Sequence, residues 1–190
     1  MGSEAIVEIL IDQYLARFIR TRPYIVGIDG LSGSGKTTLT KELERQLINR
    51  HLKVQLFHLD DYVVGRSKRY LTGYPEWYEY YALQWDIANL SAELFGKLQQ
   101  GKKKIAPDTI VLIEGVFLQR TEWQDFYDFV LYVDCPRELR YERTLRRSEN
   151  PGNLDERRAL YSRRYWPGED HYLSVEQPHE KADLIVKTNN

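Results

Sequence analysis

Short apolar runs alternate with stretches of helical periodicity along the whole chain. The apolar runs predict five buried strands, at residues 24–29, 53–59, 109–113, 129–133 and 182–187. Apolar residues that recur every three or four positions predict helices, over residues 3–20, 36–49, 86–100 and 156–165 and after Pro136. Because strands and helices alternate, we predict an α/β fold, a parallel five-stranded sheet with right-handed crossovers and helices on both faces.

Residues 30–37 connect the first strand to the helix that follows it. Gly30, Gly35, Lys36 and Thr37 fit G-x-x-x-x-G-K-[ST], the pattern of a phosphate-binding loop. Glycines in such a loop let backbone N–H groups approach a polyphosphate, and the helix dipole favours negative charge there. The pattern therefore predicts a P-loop NTPase fold. The alternative is a loop rich in Gly and Ser that matches by chance.

The same loop supplies the predicted ligands of ATP and Mg²⁺. We expect Lys36 to reach the β- and γ-phosphates and the Thr37 hydroxyl to ligate Mg²⁺. Thr38 is a candidate for bonding the α-phosphate. The residues predicted to bind the nucleotide are Gly30, Ser32, Gly33, Ser34, Gly35, Lys36, Thr37 and Thr38.

Acidic side chains follow two of the predicted strands. Asp60 and Asp61 come after the second strand, and Glu114 comes at the end of the third. Ligands of open parallel sheets bind beyond the carboxyl ends of the strands, so we expect these acids beside the phosphate-binding loop. Asp60 is the candidate catalytic base, with Asp61 left open, and the candidate Mg²⁺ ligands are Thr37, Glu114 and Asp60. The alternative is that these acids only cap turns or bond backbone groups.

Aromatic residues are concentrated between positions 62 and 85, where 24 residues include eight of them. Long connections in compact domains tend to be functional, and Tyr and Trp suit a ring-bearing small molecule. The alternative is that the rings fill a satellite core, and we expect both uses. The predicted substrate-binding residues are Asp60, Tyr62, Tyr74, Trp77 and Glu114.

Arginines recur on the helix after Pro136, just before a polar stretch at residues 148–155. Cationic side chains beside a polar segment favour a small lid, at about 148–160, that closes over phosphates through Arg143, Arg146 or Arg147. The alternative is a solvated face on which the arginines pair with glutamates of the same helix. The predicted catalytic residues are Asp60, Lys36, Arg143 and Arg146.

Composition narrows the classes of protein that fit. A chain of 190 residues predicts one domain, residues 1–190, and a net charge of −1 disfavours a nucleic-acid polymer as partner. Cys135 is the only cysteine, which excludes an intramolecular disulfide and suits a reducing, cytoplasmic location. No apolar stretch has the ~20 residues that a membrane span needs, so we expect no membrane association.

The motifs together resemble the uridine kinase family and its relatives, the phosphoribulokinases, pantothenate kinases and nicotinamide riboside kinases. The resemblance extends from Ile25 to about Val186. It rests on these segments: Gly-Leu-Ser-Gly-Ser-Gly-Lys-Thr-Thr at 30–38, Leu-Asp-Asp-Tyr at 59–62, Ile-Glu-Gly-Val-Phe at 113–117 and Arg-Thr-Leu-Arg-Arg at 143–147. Two departures are visible: Tyr74-Pro75 stands where the family has a His-Pro step, and Asp-Asp-Tyr-Val stands where uridine kinases have Asp-Ser-Phe-Tyr.

The resemblance implies an ATP-dependent kinase that transfers the γ-phosphate to a hydroxyl of a small molecule. Among the possible acceptors it favours a nucleoside similar to uridine or cytidine. It implies that Asp60 is the base, that Glu114 serves the metal and the substrate, and that Arg143 and Arg146 are the lid arginines. Alternatives are a kinase of the pantothenate or nicotinamide riboside type and a regulatory NTP-binding module. The absence of Asn-Lys-x-Asp disfavours a switch GTPase. The oligomeric state stays open, with a homo-oligomer as one alternative.

Overall fold

Five parallel strands form the centre of the protein, for which a computed structural model describes residues 1–146 and 153–188. The strands are β1 Tyr24–Asp29, β2 Lys53–His58, β3 Thr109–Glu114, β4 Phe129–Asp134 and β5 Leu184–Lys187. Their order in the sheet is β2-β3-β1-β4-β5, and each neighbouring pair is parallel. The predicted five-stranded parallel sheet is therefore confirmed.

The helices follow the strands in the alternation that the hydrophobic pattern predicts. They are α1 Ser3–Ala16, α2 Lys36–Asn49, α3 Glu76–Ala82, α4 Ile87–Leu90, α5 Lys97–Gln99, α6 Arg137–Arg146, α7 Leu154–Leu160, α8 Trp166–Glu176 and α9 Pro178–Lys181. π-helical turns at Ser91–Gly96 and Tyr161–Tyr165 join α4 to α5 and α7 to α8. Short 3₁₀ turns lie at Leu59–Tyr62, Arg66–Lys68 and Gln124–Phe126.

Two hydrophobic cores lie on the two faces of the sheet. On one face, Val26 and Ile28 of β1 belong to a core that includes the buried residues of α1 and α2. On the other face, Ile25 belongs to a core formed with the rings of α3 and with the residues of α4 and α5. Alternate residues of β1 thus point into opposite cores, as the period of a strand requires, and helices cover both faces.

The N-terminal helix is shorter than the predicted range 3–20. It ends at Ala16, since Arg17 has extended backbone angles, φ −59° and ψ 138°. Phe18 continues the apolar spacing of the predicted helix, but it is 100% exposed. Gly2 is the N-cap residue of α1, and the Ser3 hydroxyl accepts from Gln46 Nε2 at 2.8 Å. The residues of α1 that contact the core are Ile6, Val7, Leu10 and Tyr14, so these contacts end at Tyr14.

The helix predicted over 156–165 begins two residues earlier, at Leu154. Asn153 caps it, because its side chain accepts from the Glu156 N–H and the Glu156 carboxylate accepts from the Asn153 N–H. The π-helical turn then carries the chain without a break into α8. Across residues 1–146 and 153–188, no helix combines the length and the apolar character that crossing a membrane requires.

Candidate active site

The loop between β1 and α2 lies at the carboxyl edge of the sheet and is held close to its neighbours. Gly33 has a φ of +77°, and a Cβ there would lie 2.7 Å from the Arg140 carbonyl oxygen. A Cβ at Gly30, with a φ of +149°, would lie 2.7 Å from the Val133 carbonyl oxygen. Glycine is therefore required at both positions, because β4 and α6 leave no room for a side chain and φ is positive.

Lys36 begins α2 and its side chain is buried, with 7% of the residue exposed. Its ammonium group donates to the Leu31 carbonyl oxygen at 3.0 Å, so it folds back beneath the loop. Burial lowers the pKa of Lys36, while the charges of Glu114 and Asp29 raise it. The loop thus surrounds a lysine whose charged form is stabilised by the carboxylates of Asp29 and Glu114 at the strand ends.

Glu114 ends β3 and meets side chains from two neighbouring elements. Its Oε1 accepts from the Thr37 hydroxyl at 3.1 Å and lies 2.7 Å from Nδ1 of His58. The register explains the second contact, because His58 and Glu114 are opposite each other in the β2–β3 pair. The sequence did not identify His58 as a site residue, because its contact with Glu114 depends on the register of the two strands. Thr37 and Glu114 therefore present oxygen atoms to one point beside the loop.

Asp60 lies in the 3₁₀ turn that follows β2, is exposed to solvent and lines a cleft beside the loop. Although part of Asp60 is exposed, neighbouring protein atoms partly desolvate its carboxyl group, and this raises its pKa. The charge of Glu114 also raises the pKa, and the charge of Lys36 lowers it. Asp61 is exposed and lies outside the cleft lining. The geometry therefore favours Asp60 over Asp61 as the group that a molecule in the cleft would meet.

The side chains of the loop suit a metal-bound nucleotide. The Ser34 hydroxyl is buried and has no hydrogen-bond partner within the described parts of the chain, so a ligand oxygen would satisfy it. The Thr37 hydroxyl and the Glu114 carboxylate are the hard oxygen donors that Mg²⁺ prefers. The described ranges contain no group of three His, Cys, Asp or Glu side chains that could hold a metal unaided. Thr38, the next residue of α2, is exposed.

A buried ion pair, Arg140 with Glu169, holds the outer part of the loop and was not predicted. Arg140 on α6 and Glu169 on α8 are joined at 2.8 Å, and both are almost fully buried. Ser32 lies between them: its N–H donates to Glu169 Oε1 and its carbonyl oxygen accepts from Arg140 Nη1, each at 3.1 Å. The desolvation that raises the pKa of Glu169 is opposed by Arg140. Two helices that are distant in sequence thus fix one loop peptide from both sides.

The two predicted lid arginines differ in position. Arg143 Nη1 lies 3.3 Å from the Ser34 carbonyl oxygen, directly over the loop. The Arg146 side chain is 83% exposed and lies 3.9 Å from Glu142 on its own helix, which places it away from the loop. Arg147 and residues 148–152 of the predicted lid lie outside the described residues. Residues 154–160 of that range form α7.

The cleft beside Asp60 has a volume of about 1080 Å³ and two walls, from residues 60–84 and 157–165. Of the predicted substrate residues, Asp60 and Tyr74 line it. Tyr62, Trp77 and Glu114 lie outside the lining, and the Trp77 ring packs 4.9 Å from the His171 ring. Tyr80, Tyr81 and Trp85 are buried in the core, as the alternative interpretation of the aromatic segment predicts. Tyrosines and arginines dominate the rest: Arg66, Arg69, Tyr70, Arg157, Tyr161, Arg163 and Tyr165.

Known proteins that resemble this chain include P-loop proteins and a possible kinase. A family model described as an AAA domain matches residues 26–161. A solved structure described as a possible uridine kinase from Bacillus stearothermophilus is 35% identical, with a TM-score of 0.73, and the match covers 97% of this chain and 99% of that one. The match therefore spans the segments that carry the P-loop, the strand ends and both walls of the cleft.

Two curated relatives are kinases. A uridine kinase of Leuconostoc citreum is 28% identical over 154 residues, which are 72% of this chain and 71% of the relative. A pantothenate kinase of Salmonella newport is 26% identical over 161 residues, 68% of this chain. The match spans only 51% of that pantothenate kinase, about half of its length.

Proposed function

This chain belongs to the AAA-domain family of P-loop proteins and, within it, to the uridine kinase-like kinases, and on that premise we propose that it transfers the γ-phosphate of ATP to a hydroxyl of a small molecule. One observation carries the proposal. Asp60, in the turn that follows β2, and Glu114, at the end of β3, both lie beside the loop that buries Lys36, and Asp60 opens into the cleft.

Phosphoryl transfer needs alignment and charge neutralisation more than covalent help from the protein. In the proposed reaction the acceptor oxygen forms a bond to the γ-phosphorus while the bond from that phosphorus to the β–γ bridging oxygen breaks and ADP leaves. Asp60 accepts the proton of the acceptor hydroxyl and passes it to solvent. Lys36 and Arg143 stabilise the charge that develops on the transferred group.

A bound Mg²⁺, held by Thr37 and Glu114, would add charge stabilisation at the phosphates. The contact of His58 with Glu114 orients that carboxylate toward Thr37. The Arg140–Glu169 pair fixes the loop peptide at Ser32, so the loop does not have to be ordered when the nucleotide binds.

We place a nucleoside similar to uridine or cytidine first among the acceptors. Relatives described as uridine kinases support this choice, as do the tyrosines of the cleft, which suit a planar base. An alcohol of the pantothenate or nicotinamide riboside type is the alternative. The Salmonella pantothenate kinase supports the pantothenate type. A regulatory module that binds NTP without transfer is a further alternative, and it would show no acceptor-dependent release of ADP.

Asp60→Asn tests the proposal, with Asp61→Asn as the matched control. The first change removes the proton acceptor that lines the cleft, and the second removes an equal charge from the next residue. ADP release is measured with saturating MgATP and with a panel of nucleosides and small alcohols. We expect Asp60→Asn to lower acceptor-dependent turnover by ~10²-fold or more, the lower end for losing a general base.

ATP affinity should be unchanged in Asp60→Asn, because the P-loop is intact. Asp61→Asn should stay within a few-fold of the wild-type rate. Near-wild-type turnover by Asp60→Asn would remove Asp60 from the role of base, and an equal loss in both variants would assign the effect to the charge of the turn.

A further inference from the structure

Two arginines of the cleft wall lie over one tyrosine ring. The Cζ atoms of Arg66 and Arg69 are 4.3 and 5.0 Å from the centre of the Tyr70 ring, and all three residues line the cleft. Guanidinium groups stack on aromatic faces in this way, and the ring then restricts their planes. The wall thus carries two positive charges, each within about 5 Å of one ring.

The acids near these arginines are already engaged. Glu79 pairs with Arg164 at 2.9 Å and accepts from the N–H and the hydroxyl of Thr72. Glu76 pairs with Arg163 at 2.7 Å. No carboxylate of residues 1–146 or 153–188 forms an ion pair with Arg66 or Arg69. Within the described residues, the two like charges in this wall of the cleft therefore have no carboxylate partner.

A buried residue fixes the position of this wall. Arg164, 0% exposed, donates from Nη2 to the Arg69 carbonyl oxygen at 3.0 Å, and its Cζ lies 3.9 Å from the centre of the Tyr70 ring. Arg69 Nε donates to the Val64 carbonyl oxygen at 3.0 Å. The backbone that carries the arginine pair is therefore held by the core, which is typical of a preorganised binding site.

The arginine pair and Asp60 line one cleft and carry opposite charges. Asp60 lies in the 3₁₀ turn Leu59–Tyr62, whereas Arg66 and Arg69 lie in and directly after the next turn, so the two kinds of charge come from different segments of the wall. An anionic group in the cleft would be repelled by Asp60 and attracted by the pair, while a hydroxyl would be free to meet Asp60. The electrostatics of the cleft thus orient a molecule that has both groups.

From this arrangement we propose that the acceptor is an anionic alcohol, whose carboxylate or phosphate is bound by Arg66 and Arg69 while its hydroxyl faces Asp60. The inference rests on the proposed kinase function and, among its acceptors, favours an anionic alcohol over the neutral nucleoside that the relatives suggest. Guanidinium groups bind carboxylate and phosphate oxygens with paired hydrogen bonds, and an anion between two of them removes their mutual repulsion. The tyrosines of the cleft that are half-buried or exposed, Tyr70, Tyr74, Tyr161 and Tyr165, would contact the part of the molecule between the two groups.

Matched pairs of acceptors test this inference, because the members of each pair differ in the anionic group. Pantothenate is compared with panthenol, and ribose 5-phosphate with ribose, while uridine and cytidine serve as neutral nucleosides. The quantity measured is kcat/KM for ADP release with saturating MgATP. We expect the charged member of at least one pair to exceed its neutral partner and the nucleosides by ~10- to 100-fold, the range for charge-assisted bonds. The pair that responds distinguishes a carboxylate from a phosphate.

The double variant Arg66→Gln with Arg69→Gln then assigns the effect to the wall. It should raise the KM of the anionic acceptor by ~10- to 100-fold, with the KM of ATP unchanged. Lys68→Gln is the matched control, since Lys68 is an exposed cation of the same turn that does not line the cleft. The single variant Arg66→Gln, at an exposed position, keeps the test valid if the double variant folds poorly.

Two outcomes would contradict the inference in distinguishable ways. Equal kcat/KM for charged and neutral acceptors, with no effect of the arginine variants, would overturn the anionic acceptor and leave the kinase function in place. No release of ADP above the acceptor-free rate with any acceptor would overturn the kinase function, and the anionic acceptor with it.

Discussion

The phosphate-binding loop comes from one continuous stretch, residues 30–37, whereas the walls of the cleft come from residues 60–84 and 157–165. In the loop, the residues that would meet the phosphates belong to one short segment, and Lys36 donates to the Leu31 carbonyl oxygen, although Arg140 and Glu169 also hold the loop at Ser32. In the cleft, Tyr70 and Arg69 hold theirs through Arg164, which is 95 residues away from Arg69 in the chain. The comparison indicates that the residue types of the phosphate site can be recognised in one segment of the sequence, whereas the residues that line the cleft are brought together only by long-range packing.

Lys36→Met should have the largest effect on turnover. It removes the buried cation of the loop and leaves the acceptor walls intact, so we expect kcat to fall by ~10³-fold, as for other groups that stabilise transition-state charge. Lys41→Met, an exposed lysine of the same helix, is the control. A loss below tenfold would mean that the cleft, rather than the loop, supplies most of the charge stabilisation.

Glu169→Gln should have the next largest effect, on stability. The change leaves the buried Arg140 guanidinium without its charge partner, and breaking a buried pair costs about 3 kcal/mol or more. For a chain of this size the melting temperature should fall by about 6–12 °C. Asp170→Asn is the control, because Asp170 pairs with Arg137 at the surface and should change stability by less than about 1 kcal/mol. Equal shifts in both variants would contradict the special role of the buried pair.

Arg143→Gln should have an intermediate effect that separates the two predicted lid arginines. Arg143 lies over the loop and Arg146 points to solvent, so we expect kcat to fall by ~10- to 100-fold in Arg143→Gln and by less than about twofold in Arg146→Gln. Single-turnover measurements at saturating ATP distinguish a loss in transfer from a loss in binding. The reverse order would mean that the helix turns its other face to the nucleotide during catalysis.

Tyr74→Ala should have the smallest effect and should be confined to the acceptor. The Tyr74 ring lines the cleft, 59% exposed, and its loss should raise the KM of the acceptor by ~3- to 10-fold. Trp77→Ala should instead lower stability, because Trp77 packs on His171 outside the cleft. A change in the KM of ATP in Tyr74→Ala would contradict the separation of the two regions.

The loop, its flanking elements and the sheet could be predicted from the sequence because their signals are local. The strand at 24–29 and the helix over 36–49 have the predicted bounds, since a buried apolar run and a 3.6-residue period each identify one element. The end of α1 could not be predicted in the same way. Phe18 continues the helical period, yet the core that α1 covers extends only as far as Tyr14.

Paired charges were the main feature that the sequence concealed. Arg140 belongs to the arginine-rich helix for which a solvated face was the alternative, and no partner was predicted for Arg164. Both are buried, and their partners lie 29 and 85 residues away. Periodicity treats a charged residue as exposed, so it cannot indicate a pair that forms only when two helices meet. For the same reason, the spacing within 62–85 could not show that Tyr74 lines the cleft and Trp77 does not.

The fate of the γ-phosphate tests the central claim most directly. Wild-type protein is incubated with MgATP and the acceptor panel, and ³¹P NMR follows ADP, inorganic phosphate and new phosphomonoesters in one sample. The account predicts one phosphomonoester for each ADP, with inorganic phosphate at the level of the acceptor-free control. Formation of ADP and inorganic phosphate in equal amounts, with no phosphorylated acceptor, would contradict it.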